Sequence, residues 1–149
     1  MDIKRMTVGV TALNATDNPA PGVGVLRSLR AEPSFCGRVV GLTYDSLDPG
    51  IYARDLVDDV FLVPYPSQGV EALLQRLAYS RARVGLDVVV PTVDSELDAY
   101  IAIQDDLAAL GIGVLLPSRE QLALRAKSNL ARLGADAAIP VPDTRVISD

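Results

Sequence analysis

Residues 7–30 read TVGVTALNATDNPAPGVGVLRSLR, and this stretch decides the fold. Its first part, residues 7–13, is a short apolar run of the kind that forms a buried parallel strand. A polar loop follows over residues 14–21, and Pro21 then opens a predicted helix over residues 22–30. A buried strand that leads through a loop into a helix is the repeating unit of an α/β sheet.

The same alternation continues along the chain. Ser67 is predicted to cap the helix after the third strand, and one helix is predicted to follow the fourth strand as far as Gly111. Strands that alternate with helices of this length form a parallel sheet with right-handed crossovers. We therefore predict an α/β domain with an open, Rossmann-like parallel sheet of about five strands and helices on both faces. The four later strands are predicted over residues 38–43, 59–63, 87–90 and 112–116.

The composition disfavours or excludes several classes of function. The chain has 149 residues, and its net charge of −5 with only 5% aromatic residues disfavours nucleic acids and anionic membranes as partners. Cys36 is the only cysteine and there is no histidine, which excludes an intrachain disulfide, a Cys/His zinc site and any triad that needs histidine. Cys36 is interpreted as an inert thiol, no metal ligands or catalytic residues are predicted, and no apolar run is long enough for a membrane span. A cytoplasmic protein is expected.

Ligands of an open parallel sheet bind beyond the carboxyl ends of its strands. The loop after the first strand carries the polar residues Asn14 and Asp17 and leads to Gly22 and Gly24 at the start of a helix. Free N–H groups there suit a phosphate or a carboxylate, and glycines allow a close approach. We predict substrate binding by these four residues. The alternative is that both glycines serve only the turn and the packing of the helix on the sheet.

Acidic residues follow two other strands. Asp45 stands after the second strand, where a dinucleotide enzyme would bind a ribose, although an Asx turn is the favoured explanation. Asp94 and Glu96 flank the start of a helix, where acidic residues are also favoured as simple cap charges. The functional interpretation is that one of them binds an ammonium group or another polar part of a substrate. An acid/base pair is disfavoured because the sequence shows no environment that would raise either pKa.

Three stretches resemble the amino-terminal domain of the ATP-grasp superfamily, which includes carbamoyl-phosphate synthase large chains, biotin carboxylases and carboxylate–amine ligases. They are TALNATDNPAPGVGVLRSLR (11–30), VVVPTVDSELD (88–98) and LPSREQLALRAKSNLARLGADAAIPVPDT (116–144). The last is the most specific, since a Lys-bearing helix there precedes an Ile-Pro-Val-Pro passage into the next domain. Ala138 departs from the glycine common in the family, and Asp136-Ala137 resemble a small insertion.

The resemblance implies an enzyme that uses ATP and Mg²⁺ to activate a carboxylate as an acyl phosphate, which an amine then attacks. It implies that Lys127 reaches the ATP phosphates, and that residues 14–24 with Asp94 and Glu96 line the substrate side. Residues 1–135 would form the pre-ATP-grasp domain, and residues 136–149 a linker to a central domain that this sequence does not contain. We expect the 149 residues alone to bind no cofactor and to be inactive. We expect the rest of its own chain as partner, with a homodimer possible.

Two other functions stay open. The first is a dinucleotide-binding domain of an NAD(P)-dependent oxidoreductase, with the phosphates at Gly22–Gly24 and Asp45 on the ribose. Arg27 occupies the third glycine position of that fingerprint, which counts against it. The second is a receiver-like domain of flavodoxin type, which is disfavoured because Val63-Pro64 ends the third strand where a phosphorylatable aspartate would be needed.

Overall fold

The computed structural model describes residues 3–15, 21–145 and 147, and it divides the chain into two compact units. Unit 1 runs from Met1 to Leu115 and unit 2 from Leu116 to Asp149. The first unit contains all five strands of the sheet and the loops at their carboxyl ends. The boundary near residue 135, which concerns the domains of a larger enzyme, stays a prediction.

Unit 1 is built on one sheet of five parallel strands in the order β3-β2-β1-β4-β5. The predicted α/β fold is therefore confirmed. β1 lies in the middle, and all five of its residues are buried because neighbours cover it at both edges and both faces. The strands are β1 Thr7–Thr11, β2 Arg38–Thr43, β3 Asp59–Leu62, β4 Val88–Val90 and β5 Gly113–Val114.

Six α-helices and four short 3-10 helices accompany the strands in the described part of the chain. The α-helices are α1 Gly22–Ala31, α2 Val70–Val84, α3 Asp94–Ala102, α4 Gln104–Ala109, α5 Arg119–Leu124 and α6 Leu130–Ala137. The 3-10 helices are Ile3–Arg5, Pro49–Tyr52, Pro66–Gln68 and Lys127–Asn129. None of the described helices combines the length and the apolar character that a bilayer crossing requires.

The helix that was predicted to run to Gly111 is in fact two helices. The chain breaks at Ile103, with φ −112° and ψ 14°, between α3 and α4. Tyr100, Ile103 and Leu107 are buried along the two helices, whereas Ala108, which was predicted for the buried face, is exposed.

Ser67 does not cap α2, so that prediction was wrong. Ser67 lies inside the 3-10 helix Pro66–Gln68, and Gly69 occupies the N-cap of α2 with φ 98°. A positive φ of this size is strained for serine and easy for glycine. The Gln68 side chain accepts the backbone N–H of Tyr65 at 3.0 Å, which stabilises the tight turn ahead of α2.

Two aspartates fix the amino ends of the central strands. Asp58 Oδ2 accepts the N–H of Val39 at 2.7 Å, and Asp87 Oδ2 accepts the N–H of Thr7 at 2.9 Å. Arg81 donates to the other oxygen of Asp87 at 2.7 Å. Burial alone would raise the pKa of Asp87, but the bonds from Thr7 and Arg81 outweigh it and hold that pKa below its usual value.

Asp87→Asn is expected to lower the free energy of unfolding by about 1–2 kcal/mol at neutral pH, since charge-assisted bonds contribute that much. Because the pKa is lowered in the fold, this stabilisation is present above the ordinary value of 3.8 and is lost as the pH falls through the folded value. Urea unfolding at neutral pH and at about pH 3 measures the difference, which should shrink in acid. Asp105→Asn on the exposed side of α4 is the matched control. An undiminished difference in acid contradicts the assignment.

Unit 2 begins with a capping box at the start of α5. The Ser118 hydroxyl accepts the N–H of Gln121 at 3.2 Å, and the Gln121 side chain accepts the N–H of Ser118 at 2.8 Å. Lys127 stands at the start of a 3-10 turn that leads into α6, rather than of an α-helix. Gly134 of α6 is buried against Val141, which folds the Pro-rich end back onto this helix.

Candidate functional site

The carboxyl edge of the sheet has a switch point at β1. β2 lies on one side of β1 and β4 on the other, so the connections that follow β1 and β4 diverge. Crevices of this kind are where open α/β sheets bind ligands. The residues that meet here are Thr11 at the end of β1, Tyr44 just after β2, and Thr92 and Glu96 after β4.

Glu96 is the centre of this edge. Its side chain is fully buried, in the first turn of α3. The Thr11 hydroxyl donates to Oε2 at 2.6 Å, and the Tyr44 hydroxyl donates to Oε1 at 2.5 Å. The N–H of Thr92 lies 3.2 Å from Oε2 and 3.0 Å from the Thr11 hydroxyl oxygen. One carboxylate thus joins three strand ends to the helix that follows β4.

This environment overturns the expectation that nothing near Glu96 would raise its pKa. Burial raises the pKa of Glu96, and the hydrogen bonds from Thr11, Tyr44 and the backbone only partly oppose it. Burial and the nearby Glu96 charge in turn raise the pKa of the Tyr44 and Tyr100 hydroxyls. The Tyr100 hydroxyl is buried and has no hydrogen-bond partner among the described residues. The neutral, protonated form of Glu96 is therefore more favoured than that of an exposed carboxylate at a helix cap.

Asp94 differs from Glu96 although only two positions separate them. It is the first residue of α3 and is exposed. Helical geometry places the two side chains on different faces, so one points into the sheet edge and the other to the surface. The structure does not bring them together as a pair, and substrate binding by either one stays a prediction.

The residues around the start of α1 are placed as follows. Asn14 is half-buried in the loop after β1, and Asp17 lies outside the described residues. Gly22 is buried where α1 meets β1, and a Cβ there would lie 2.2 Å from the Thr11 carbonyl oxygen. Packing is sufficient to explain Gly22. Gly24 has open space around its α-carbon among the described residues, so packing does not explain it.

Two adjoining cavities open at this edge. One has a volume of ≈ 360 Å³ and is lined by residues of the loops after β1, β2 and β3, among them Asn14, Tyr44, Asp45, Asp48 and Tyr65. The other, of ≈ 450 Å³, shares Asn14 with the first and extends to Gly24 and Arg27 of α1. Asp45 also makes the turn predicted as its alternative role, since its Oδ1 accepts the N–H of Leu47 at 2.8 Å.

Sequence analysis missed four residues of this edge, namely Thr11, Arg27, Tyr44 and Tyr65. Tyr44 directly follows a predicted strand, so its position was available as a signal, but nothing in the sequence pairs it with Glu96 52 positions away. The stacking of Tyr44 on Tyr65, with ring centroids 5.1 Å apart, depends equally on the sheet order.

Lys127 belongs to unit 2, where it is exposed. It forms no ion pair within the described residues, so its ammonium group is available to an anion. No group of three or more acidic, histidine or cysteine side chains that could hold a metal ion occurs in the described ranges.

Comparison with known proteins gives likeness at the level of fold. No family model matches the sequence, and no curated protein matches it. A solved structure titled "Biotin Carboxylase domain of single-chain bacterial carboxylase" is similar to 96% of this chain with a TM-score of 0.56 and 18% identity. A structure titled "crystal structure of AibC" covers 91% of the chain at 17% identity with a TM-score of 0.45. The chain spans 31% of the first of these structures and 40% of the second.

Proposed function

We propose that this chain is the amino-terminal, substrate-side domain of an ATP-dependent ligase of ATP-grasp type. The reaction would activate a carboxylate as an acyl phosphate, which an amine then attacks. The observation that carries the proposal is the fold likeness to a biotin carboxylase domain over 96% of the chain. The sequence resemblance over residues 11–30, 88–98 and 116–144 supports the proposal independently. These residues include the carboxyl edge of the sheet and the segment around Lys127. A cytoplasmic location fits such an enzyme.

The chain would supply only part of such an active site. Its length corresponds to 31% of the similar structure, so further domains would contribute most of the ATP contacts. Lys127 fits the proposed role, because an exposed ammonium group that forms no ion pair with the described residues can reach a phosphate as a point charge. Bound ATP with Mg²⁺ would supply the phosphoryl group and neutralise its charge. The described residues provide no metal-binding cluster, so the ligands of Mg²⁺ would come from the other domains.

The sheet edge would form the substrate side. Glu96 fixes the positions of the loops after β1, β2 and β4 relative to one another through Thr11, Tyr44 and Thr92. A site that orients a carboxylate or an amine to within a fraction of an ångström needs supports of this kind. The substrate itself would contact the residues that line the two cavities, Asn14 among them.

Lys127→Ala is expected to weaken binding of Mg²⁺–ATP by about tenfold or more, since a charge-assisted bond to phosphate is lost. Lys127→Arg keeps the charge and should retain part of the affinity. The measurement is calorimetry on a form of the protein that carries the proposed ATP-binding domains. This chain alone should bind Mg²⁺–ATP weakly. Arg132→Ala, which removes an exposed cation of α6, is the matched control.

Two results would contradict this proposal. One is an unchanged affinity for Mg²⁺–ATP in Lys127→Ala, which would remove the lysine from the phosphate site. The other is tight binding of NAD(P)H by these 149 residues alone, which would favour the dinucleotide-binding function.

A further inference from the structure

We propose that the two adjoining cavities of unit 1 bind one small zwitterionic molecule, with its ammonium group in the cavity at Asp45 and its carboxylate in the cavity at Arg27. This inference deepens the proposed function and rests on it for the statement that the ligand is a substrate. The binding itself depends only on unit 1.

The first cavity suits an organic cation. Asp45 and Asp48 contribute two carboxylates to its wall, and the described lining residues include no lysine or arginine. Tyr44 and Tyr65 also line it, with their rings stacked at an interplanar angle of 16°. Carboxylates favour an ammonium group because their negative charges attract it. We call this space the acidic cavity.

The acidic cavity also contains polar atoms that the fold leaves without partners. Asp48 is 8% exposed, and its Oδ2 accepts the Thr43 hydroxyl hydrogen. Its other oxygen, Oδ1, has no hydrogen bond within the described residues, and neither has the side-chain amide of Asn14. An unpaired carboxylate oxygen at the wall of a cavity is free to accept a hydrogen bond from a ligand. An ammonium group supplies three donors for such bonds.

Among the described residues that line the second cavity, the charged side chain is a cation, Arg27. Arg27 contributes a guanidinium that forms no ion pair in the part of the chain that the structure describes. Val23 and Gly24, from the first turn of α1, form part of the same wall. The positive end of the helix adds to the attraction of Arg27 for an anion. A carboxylate matches the fork of an arginine with two parallel bonds. We call this space the basic cavity.

The two cavities share part of their wall, and we therefore infer that one ligand occupies both. Asn14, Ala15 and Pro49 line both cavities, so the two spaces adjoin at these residues. Volumes of ≈ 360 and ≈ 450 Å³ are in the range of sites for small metabolites. A ligand with negative charge alone would give Asp45 and Asp48 no opposite charge. A molecule that carries both charges satisfies both cavities at once.

Three probes of equal chain length test the inference on this chain. 5-Aminopentanoate carries both charges, pentanoate carries only the carboxylate, and pentylamine carries only the ammonium group. Titration by calorimetry or by amide chemical shifts should show 5-aminopentanoate binding at least about tenfold more tightly than either single-charge probe. Shifted resonances should include Asn14, which borders both cavities.

Two variants assign the charges to the cavities. Arg27→Gln should weaken 5-aminopentanoate and pentanoate but not pentylamine. Asp45→Asn should weaken 5-aminopentanoate and pentylamine but not pentanoate, and its amide oxygen can still accept the N–H of Leu47. Arg83→Gln on α2 and Asp105→Asn on α4 remove the same charges from exposed helix positions and should change nothing.

Three outcomes would overturn the inference. They are equal affinity for all three probes, equal losses for all probes in either variant, and no binding of any probe up to about 10 mM. The test is separate from that of the proposed function, since it involves no ATP. Zwitterion binding without any Mg²⁺–ATP site in the longer protein would leave this inference standing and remove the ligase. ATP binding without zwitterion binding would do the reverse.

Discussion

Gly22→Ala is expected to lower the free energy of unfolding by about 3 kcal/mol or more, a loss of roughly 10 °C in the melting temperature. A Cβ at position 22 would lie 2.2 Å from the carbonyl oxygen of Thr11 and 2.5 Å from that of Ala12. Both are backbone atoms of the central strand and its exit, so no side chain can turn away. The start of α1 would have to move off β1, and the loop at Asn14 would move with it.

Gly24→Ala is the matched control for this prediction. It makes the same chemical change two residues later in the same helix, where a Cβ would meet nothing within 4 Å among the described residues. Alanine is favoured over glycine in a helix by about 1 kcal/mol, so this variant should be more stable than the parent protein. Thermal and urea unfolding of both variants gives the comparison. A Gly22→Ala protein as stable as the parent would show that α1 does not rest on β1 through this contact.

The strand pattern was predictable because it depends on local chemistry. β2 has the bounds that the sequence predicted, and β1, β3 and β4 differ from their predictions by one or two residues at an end. Apolar β-branched runs flanked by turn residues leave little choice of conformation. The order of the strands was not predictable from local chemistry. It is decided by how the crossover connections pack, which places β1 between β2 and β4.

The sequence predicted where the candidate site lies, but not the burial or the pKa of its residues. Asn14, Asp45 and Glu96 could be assigned to the carboxyl edge from the alternation of strands and helices alone. That Glu96 would be buried while Asp94 is exposed follows from the angle at which α3 packs, which the local pattern of acidic residues does not reveal. The hydrogen-bond partners of Glu96, Thr11 and Tyr44, lie 85 and 52 positions away in the sequence. The raised pKa of Glu96 is therefore a property of the tertiary fold.

Glu96→Ala is expected to lower the free energy of unfolding by about 3–5 kcal/mol. The substitution removes a fully buried side chain and takes the acceptor from two hydroxyls, those of Thr11 and Tyr44, while the N–H of Thr92 keeps the Thr11 hydroxyl oxygen at 3.0 Å. An unsatisfied buried donor costs about 1–3 kcal/mol, although the two hydroxyls can rotate toward other acceptors. Asp94→Ala, which removes an exposed carboxylate from the same turn, should cost less than about 1 kcal/mol and serves as control.

Glu96→Gln separates the charge of this side chain from its shape. Burial raises the folded pKa of Glu96 above its usual 4.5, so the fold favours the protonated form. Its contribution is therefore fully present below pH 4.5 and is lost as the pH rises through the folded pKa. The parent protein should gain stability relative to Glu96→Gln as the pH falls from about 8 toward 4.5.

This window is free of the usual interference, because the chain has no histidine and the pKa values of Asp58 and Asp87 are lowered. Urea unfolding of both proteins at several pH values measures the effect. Parallel pH profiles for the two proteins would mean that Glu96 is ionised as readily in the fold as in the unfolded chain. The hydrogen bonds that Glu96 accepts would then offset the whole effect of burial on its pKa, and the fold would not favour the protonated form.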